Sequence, residues 1–577
     1  MLKIFFYHAN DTLGLGTDRQ VFLGIAALYL KTYIDYNRKN IADQIEWMVP
    51  VQQKMSDEQL IEKINQNKPD IFCTSHYIWN NDFLSNQIQR IKPHVNKNIL
   101  FVAGGPSVDV NINDNFFQDN PAIDYALYGS GECGFADLVE SIINNKKLLK
   151  INTSNIAWFD LKTNKQIVAD FVYVPQLKVS PYTNDVSLFS KMVKQMLDKN
   201  LLIIVPYELT RGCPYACTFC DWNSGLTNKT TRRKGTYVDE IDLFHKLGIK
   251  GIYLADANVG QYEEDIDMVV YLAKKNTEEN AEFRVDGNFS KLRKENNLKI
   301  YHILAKGGLI TDTAGFALAI QDINQAVLDN IDRPDLGWVT HVEIMTELRE
   351  HYPMKPSVVQ LIQGLPGQTV ESWKQTLSTV ADEATFMQIF ISELLSASPA
   401  ARDKTYQDRF KFEYSNAERF NGKEFFSGQF TKSCVSFSQH DYAEMSVWST
   451  FYSALVYFRK HSSARFDFNA VVRSFEQSTT YQSLLANLTQ NWLVNNKFFY
   501  TLGFDNVPLL GNPLSGCHIR NTGILWTSNI KFLQLVAKHL TDDISPSDYV
   551  KNSLTIKDGK VLVNFASTAS TFQYLDF

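Results

Sequence analysis

Three things are scarce in this sequence, and each scarcity excludes a class of protein. Cysteine is one. Seven cysteines in 577 residues are too few for a disulfide framework. They fit a reducing cytoplasm, where gathered thiols mean metal or catalysis. Long apolar runs are another. The longest, VFLGIAALYL at residues 21–30, is about half of a membrane span. In MLKIFFYHANDT, His8, Asn10 and Asp11 interrupt the opening run too early for a signal-peptide core, so neither secretion nor membrane insertion is expected. The third is surplus charge. A net charge of −6 supplies no global field to recruit nucleic acid or an anionic membrane. The one basic cluster, Arg232 to Lys234, is expected to form a solvated or phosphate-facing turn. Aromatic residues, at 13%, are plentiful and suit large apolar pockets as well as ordinary cores. The length allows about three to four domains.

Over residues 1–147, apolar strand candidates LKIFFYH, QIEWMVP, DIFCTS, NILFVAGG and DYALYGS alternate with helical patterns. Leu84, Ile88 and Ile91 share one helix face, as do Phe135, Leu138, Val139 and Ile142. The pattern implies a parallel α/β sheet covered on both sides, with ligands outside the carboxyl ends of its strands. The segments at those ends are HANDTLGLG, SHYIWN, GGP and GSGE. Gly104, Gly105, Gly129 and Gly131 remove side chains where a ligand could approach, although turn chemistry alone explains any single glycine. Residues 148–200 read as a connector, with a hairpin in FDLKTNKQIV and breaks at Pro175 and Pro181.

Alternation resumes over 201–400 with IIVPYEL, GIYLAD, EFRVDG, GFALAIQ, VVQLIQG and MQIFIS. Six βα units of this kind suggest a partial (β/α)6 barrel of TIM type, with chemistry at the carboxyl ends of the strands. Residues 401–577 read as a mainly helical accessory or substrate region. Its DYAEMSVWSTFYSALVYFRKH has a broad aromatic face. Tyr442, Trp448 and Tyr452 could line an active site, or belong to a helix packed on the barrel.

The stretch ELTRGCPYACTFCDW follows the first of these strands and gathers Cys213, Cys217 and Cys220. Three thiolates can hold zinc with Cys434 or Cys517 as a remote fourth ligand. They can equally hold three irons of a [4Fe–4S] cluster and leave the fourth iron open. Zinc motifs usually pair two close cysteines with a second close pair, and none exists here, which argues for the open cluster.

CPYACTFC resembles the CxxxCxxC signature of radical S-adenosylmethionine (SAM) enzymes, and its context resembles the subgroup with an N-terminal cobalamin-binding domain. SHYIWN, VAGGP and YGSGE look like loops of that domain. LADANVG, ALAIQDINQAVLDNIDRP and LIQGLPGQT look like successive landmarks of the radical SAM barrel. The resemblance implies a Rossmann-like, flavodoxin-like cobalamin domain followed by the partial barrel. It implies that Cys213, Cys217 and Cys220 ligate the cluster and that SAM chelates the open iron. Phe219, Gln321 and the backbone of Gly364, Pro366 and Gly367 would contact SAM. Cobalamin would meet Thr12, Gly14, Ser75, Trp79, Gly104, Gly105, Pro106, Gly129, Gly131 and Glu132.

Two departures stand out. Gln368 replaces the usual Glu of GLPGET. The cobalt-ligating histidine of other cobalamin proteins is missing, with Leu13 in its place; the radical-enzyme subgroup commonly lacks it too. His8 lies before that position, and His76 is the one credible substitute. The implied activity is methylation of an unactivated carbon of a small molecule or peptide, with electrons from a flavodoxin or ferredoxin. A non-methylating cyclisation, oxidation or rearrangement, and a zinc-stapled binding protein, are the alternatives. Gly105→Val is expected to weaken cobalamin selectively by filling ligand space.

Overall fold

The structure is a computed structural model and describes residues 1–11, 19–222, 226–310, 315–420, 425–462, 465–489, 500–501, 510–511, 530–541, 545–547, 554–557 and 560–563. The chain folds as two compact units, Met1–Thr311 with Leu395–Asp403, and Asp312–Leu394 with Lys404–Phe577.

The first unit opens with β1 (Leu2–Asn10), β2 (Gln20–Phe22), β3 (Ile45–Trp47), β4 (Val51–Gln53), β5 (Ile71–Ser75), β6 (Leu100–Gly104), β7 (Tyr125–Leu127), β8 (Ile156–Asp160) and β9 (Lys165–Val168). All but β2 join one sheet of order β3-β1-β5-β6-β7-β8-β9, with β4 also on β1. Counting β3 and β4 as one interrupted strand, its parallel part runs 2-1-3-4-5, the flavodoxin-like order. The strands read as unbroken apolar runs because both faces are covered. Ile4 and Phe6 of β1 join Ile34, Phe135 and Leu138 in one core. The intervening Phe5 and Tyr7 join Leu60, Ile64, Leu84 and Ile88 in the other. Polar signals set the helix ends between them: Ser56 and Gln59 form a capping box at the start of Asp57–Asn67. The connector hairpin is present as β8 and β9: β8 joins the sheet antiparallel to β7, and β9 antiparallel to β8.

The apolar run at residues 21–30 does not form one element. Its start, β2, leaves the first sheet and pairs parallel with β10 (Leu202–Tyr207). Helix Ala26–Asn37 takes the remainder. After β10 come a short antiparallel ladder, β11 (Thr210–Arg211) with β12 (Thr231–Arg232), then β13 (Gly251–Val259) and β14 (Arg284–Phe289). The second sheet is β14-β13-β10-β2, parallel throughout. Helix Tyr237–Lys246 buries Ile241 and Phe244 and leaves Val238 exposed.

The second unit holds β15 (Phe316–Gln321), β16 (Ser357–Gln363) and β17 (Phe386–Ile391) as a three-stranded parallel sheet. The six strands read from the sequence are thus all present, three in each unit. Helix Gln439–His461 packs against helix Val370–Glu383 and β17. An antiparallel pair, β18 (Glu413–Phe420) and β19 (Phe425–Ser433), precedes it. Helices Phe468–Glu476, Thr479–Thr489 and Ile530–Ala537 follow. Among the described residues no helix is long and apolar enough to cross a membrane.

Candidate active site

The cysteine loop leaves the carboxyl end of β10, and a buried carboxylate at the carboxyl end of β13 fixes its departure. Asp256 Oδ1 accepts from the backbone N–H of Leu209 at 2.7 Å, and Oδ2 from that of Thr210 at 2.9 Å. Burial pushes this carboxyl up to about 7, although these bonds and Arg232 oppose the rise. Arg232 lies 3.7 Å from Asp256 and 2.6 Å from Asp265. Asp265 in turn accepts from Gly260 N–H at 2.8 Å. Arg233 pairs with Glu240 at 2.9 Å with both side chains fully buried. This corrects the expectation for the basic cluster. Only Lys234 is solvated; the two arginines are internal because each has carboxylate partners that offset its desolvation.

Cys213 and Cys217 are buried, Cys220 is partly so, and none is in a disulfide. Cys220 N–H donates to Cys217 carbonyl at 3.1 Å, folding the loop back on itself. Cys213 Sγ accepts from Asn258 Nδ2 at 3.2 Å and has Lys291 Nζ at 3.8 Å. Lys291 also donates to Asn258 Oδ1 at 3.1 Å. Burial pushes the Cys220 thiol up to about 12, so ligation there must displace a proton. Among the described residues no three His, Cys, Asp or Glu side chains gather closely enough for one metal ion. A cubane asks for a different arrangement, because each thiolate takes its own iron, and three undisulfided thiols on one loop suit it. Phe219 is half-buried beside Cys220. The carbonyl of Thr218 accepts from Ala400 N–H at 2.9 Å, so residues 395–403 brace the loop. Of the two remote zinc candidates, Cys434 lies in the second unit beside the Ser436 hydroxyl at 3.2 Å; Cys517 is outside the described residues.

The carboxyl edge of the flavodoxin-like sheet belongs to the same unit. Thr12, Leu13 and Gly14 fall outside the described residues. Asn80 Nδ2 donates to the carbonyls of His8 at 3.1 Å and Ser75 at 3.2 Å, stitching the ends of β1 and β5 together. Beside this stitch Ile78 and Trp79 are exposed, and Trp79 stacks on Tyr77 with ring centroids 4.6 Å apart. Pro106 is exposed as well. An apolar surface at the switch point of a 2-1-3-4-5 sheet fits a large, largely apolar ring such as a corrin.

Three of the glycines of this edge, Gly105, Gly129 and Gly131, answer to internal packing, whereas Gly104 has room for a Cβ. Gly105 has φ +117°, and a Cβ there would lie 2.3 Å from the His76 carbonyl oxygen. A Cβ on Gly104 would meet Leu127 at 3.5 Å, on Gly131 Leu127 at 3.1 Å, and on Gly129 Phe171 at 3.0 Å. The expectation that Gly105→Val would fill ligand space is therefore corrected: the side chain would strike the protein's own backbone. His76 is buried, with Nε2 3.0 Å from Thr74 Oγ1 and Nδ1 3.0 Å from Asn81 Oδ1. Burial lowers its pKa to about 4. Both ring nitrogens are engaged, which removes it as a substitute cobalt ligand. Glu132 is buried, and its carboxylate pairs with Arg211 Nη1 at 2.6 Å. Arg211 also meets Glu208 at 3.3 Å and lies over the Tyr29 ring at 5.2 Å. This ion pair ties the first sheet to the cysteine loop two residues before Cys213.

In the second unit, Gln321 ends β15, buried, at φ +67°, a conformation few non-glycine residues adopt. Gln368 is the hub of the GLPGQT turn. Its Oε1 accepts from the N–H groups of Gly364 at 2.8 Å and Leu365 at 3.0 Å, and its Nε2 donates to Asp322 at 2.6 Å. Asn330 Nδ2 donates to the Pro366 carbonyl at 3.1 Å. Gly364 and Gly367 have φ +93° and +99°. A Cβ on Gly364 would come within 2.8 Å of the Tyr442 ring. Tyr442, Trp448 and Tyr452 are buried, the packing-helix alternative.

Sequence reasoning missed Asp256, Asn258, Arg211 and Lys291. The first two lie inside LADANVG, which stood out as a landmark, and Arg211 lies inside ELTRGCPYACTFCDW; nothing in the sequence marks Lys291.

Residues 207–380 match the radical SAM superfamily model. A cobalamin-dependent radical SAM methyltransferase, TokK of Streptomyces tokunonensis, is 25% identical over 385 residues, 66% of this chain and 54% of that protein. The 2-(S-pantetheinyl)-carbapenam-3-carboxylate methyltransferase of Streptantibioticus cattleyicolor is 23% identical over 384 residues, with the same two coverages. The chain thus spans about half the length of these curated relatives. In fold it is similar to the radical SAM methyltransferase TsrM of Kitasatospora setae, solved with cobalamin and a [4Fe–4S] cluster. The TM-score is 0.55 at 10% identity, over 85% of this chain and 100% of that one. The cobalamin-dependent SAM radical enzyme OxsB gives 0.56 at 12% identity, over 96% and 83%. The motif, the strand that presents it and the matching family model agree: this chain carries a radical SAM domain.

Proposed function

We propose that this protein is a cobalamin-dependent radical SAM methyltransferase acting on an unactivated carbon of a small molecule. What carries the reading is one juxtaposition. A three-cysteine loop at the carboxyl end of β10 is bound through Arg211 and Glu132 to the carboxyl edge of a flavodoxin-like sheet. The methyltransferase activities of the two curated relatives support it.

When bound, the cluster, SAM and cobalamin supply a radical that removes hydrogen and a methyl group that replaces it. This chain's residues do the rest. Cys213, Cys217 and Cys220 would hold three irons, leaving the fourth to SAM. Asp256 holds the start of the loop through two backbone amides, so the thiols keep their spacing. Phe219, Gln321 and the backbone of Gly364, Pro366 and Gly367 would bind SAM. Ser75, Trp79, Pro106, Glu132 and the backbone of Gly104, Gly105, Gly129 and Gly131 would carry the corrin, together with Thr12 and Gly14. In this reading residues 1–147 form the cobalamin domain, 148–200 a connector, 201–400 the radical SAM region and 401–577 an accessory region. A flavodoxin or ferredoxin in a reducing cytoplasm would supply electrons.

The test is anaerobic reconstitution followed by incubation with methyl-labelled SAM and candidate acceptors. Iron with acid-labile sulfide, bound cobalamin, SAM cleavage and label in a product one methylene heavier are the expected results. One zinc per chain without sulfide would sink the reading.

A further inference from the structure

Cys213 has a side-chain amide and an ammonium on its sulfur, and the same ammonium also acts on Cys220, whose thiol has the backbone amide of Trp222 as well. Asn258, near the end of β13, donates to Cys213 Sγ at 3.2 Å. Lys291, two residues past the end of β14, brings its ammonium to 3.8 Å from the same sulfur. The adjacent parallel strands β10, β13 and β14 thus send three residues to one point. Both partners are held in place. Ser290 N–H donates to the Val259 carbonyl at 2.7 Å, and Asn297 Nδ2 to the Ser290 carbonyl at 2.7 Å. These bonds fix the backbone beside Lys291 on the end of β13. The ammonium also meets two neutral groups, the Asn258 amide oxygen at 3.1 Å and the Tyr215 ring centroid at 4.9 Å.

We propose that Lys291, with Asn258, raises the reduction potential of the cluster by acting on the Cys213 thiolate, as a positioning and tuning residue rather than a catalytic one. This rests on the reading of the three cysteines as cluster ligands. One-electron reduction by an external low-potential donor adds one negative charge to the cluster and its thiolates. A fixed cation beside one thiolate stabilises the reduced form more than the oxidised one. Hydrogen bonds to the sulfurs act in the same direction. The effect would make a cluster with three anionic ligands reducible by an ordinary cellular electron donor.

The test is a potentiometric titration of the reconstituted full chain, followed by electron paramagnetic resonance. SAM is omitted, so that any contact of the lysine with SAM stays out of the measurement. Lys291→Met should keep its iron and sulfide and become about tenfold harder to reduce, a downward shift of about 59 mV for a one-electron couple. Lys291→Arg should stay near the parent, and Asn258→Ser should shift less than Lys291→Met. A fully loaded Lys291→Met titrating at the parent potential overturns the proposal, and so does an equal shift in Lys291→Arg. If Lys291→Met and Lys291→Gln both fail to hold a cluster while Lys291→Arg holds one, the charge serves assembly and the tuning proposal is wrong. If the parent itself carries no sulfide, the cysteine reading fails first, and the two failures are distinct.

Discussion

Around the ends of β5 and β6, at the carboxyl edge of the flavodoxin-like sheet, the contacts are neutral, and ion pairs stand to either side, Asp11 with Lys54 and Glu132 with Arg211. Asn80 joins β1 to β5, Thr74 and Asn81 hold His76, and glycines let the loops touch. At the carboxyl edge of the second sheet they are ionic: Asp256, Arg232 and Asp265 form one buried chain, and Arg233 with Glu240 another. The two edges face different tasks. A large ring that gains most of its binding from apolar area needs a close-packed, uncharged rim with exposed side chains such as Trp79. A loop whose thiols must lose protons and tolerate added negative charge needs fixed charges and dipoles already paid for in folding. Arg211 and Glu132 join the two styles.

The sharpest way to separate the edges is Cys217→Ala. SAM cleavage should fall below detection and cluster iron should drop to a minor fraction. Cobalamin binding and the far-ultraviolet circular dichroism should stay near the parent, because the core of neither sheet includes this thiol. Retention of 5′-deoxyadenosine formation at the parent rate would show that the loop is not the cluster site.

Gly105→Val should cost about 3 kcal/mol or more, since it combines a positive φ with a Cβ inside the His76 backbone. Cobalamin should be lost together with the thermal stability of the first sheet. Selective loss of cobalamin at an unchanged unfolding midpoint would restore the reading in which that space belongs to the ligand.

Acid should loosen the neutral edge. His8 and His76 are buried and neutral, each with a pKa lowered from 6.5 to about 4 by burial. A lowered folded pKa means that the stability is present above pH 6.5 and is lost as pH falls toward 4. Each drop corresponds to on the order of 3 kcal/mol. Denaturant midpoints should therefore decline over this window, less steeply in a His76→Asn variant. An identical slope in that variant would show that His76 does not titrate there.

The smallest change in stability should come from Trp79→Ala, because the ring is exposed. Cobalamin affinity should nonetheless fall about tenfold, comparable to losing one aromatic contact. Unchanged affinity, measured by the absorbance of bound cobalamin, would remove Trp79 from the corrin surface. Electron paramagnetic resonance of bound cob(II)alamin should show no splitting from a protein nitrogen, in line with the engaged ring of His76.

The sequence alone determined the alternation of strands and helices, and so the α/β class, because period-two and period-3.6 patterns are local. The same holds for the three-cysteine motif, whose ligands lie within eight residues. It did not separate ligand-facing glycines from packing glycines. Both look alike in one dimension, and only the Cβ direction at Gly105 distinguishes them. The solvated appearance of Arg232 and Arg233 misled for a related reason: their partners Asp265 and Glu240 are brought to them by folding. Gln368 shows the same limit. It departs from the usual Glu but keeps a hydrogen-bonding group, and in the fold its amide donates to the buried Asp322 carboxylate while accepting from two backbone amides. A glutamate there would set two carboxylates side by side away from water, where only one could ionise. The tertiary structure also decided that β2 abandons its own sheet for β10, and that Asn258 and Lys291 meet at Cys213. Each depends on which strands become neighbours, and parallel pairing joins residues separated by dozens of positions without leaving a periodic mark on either.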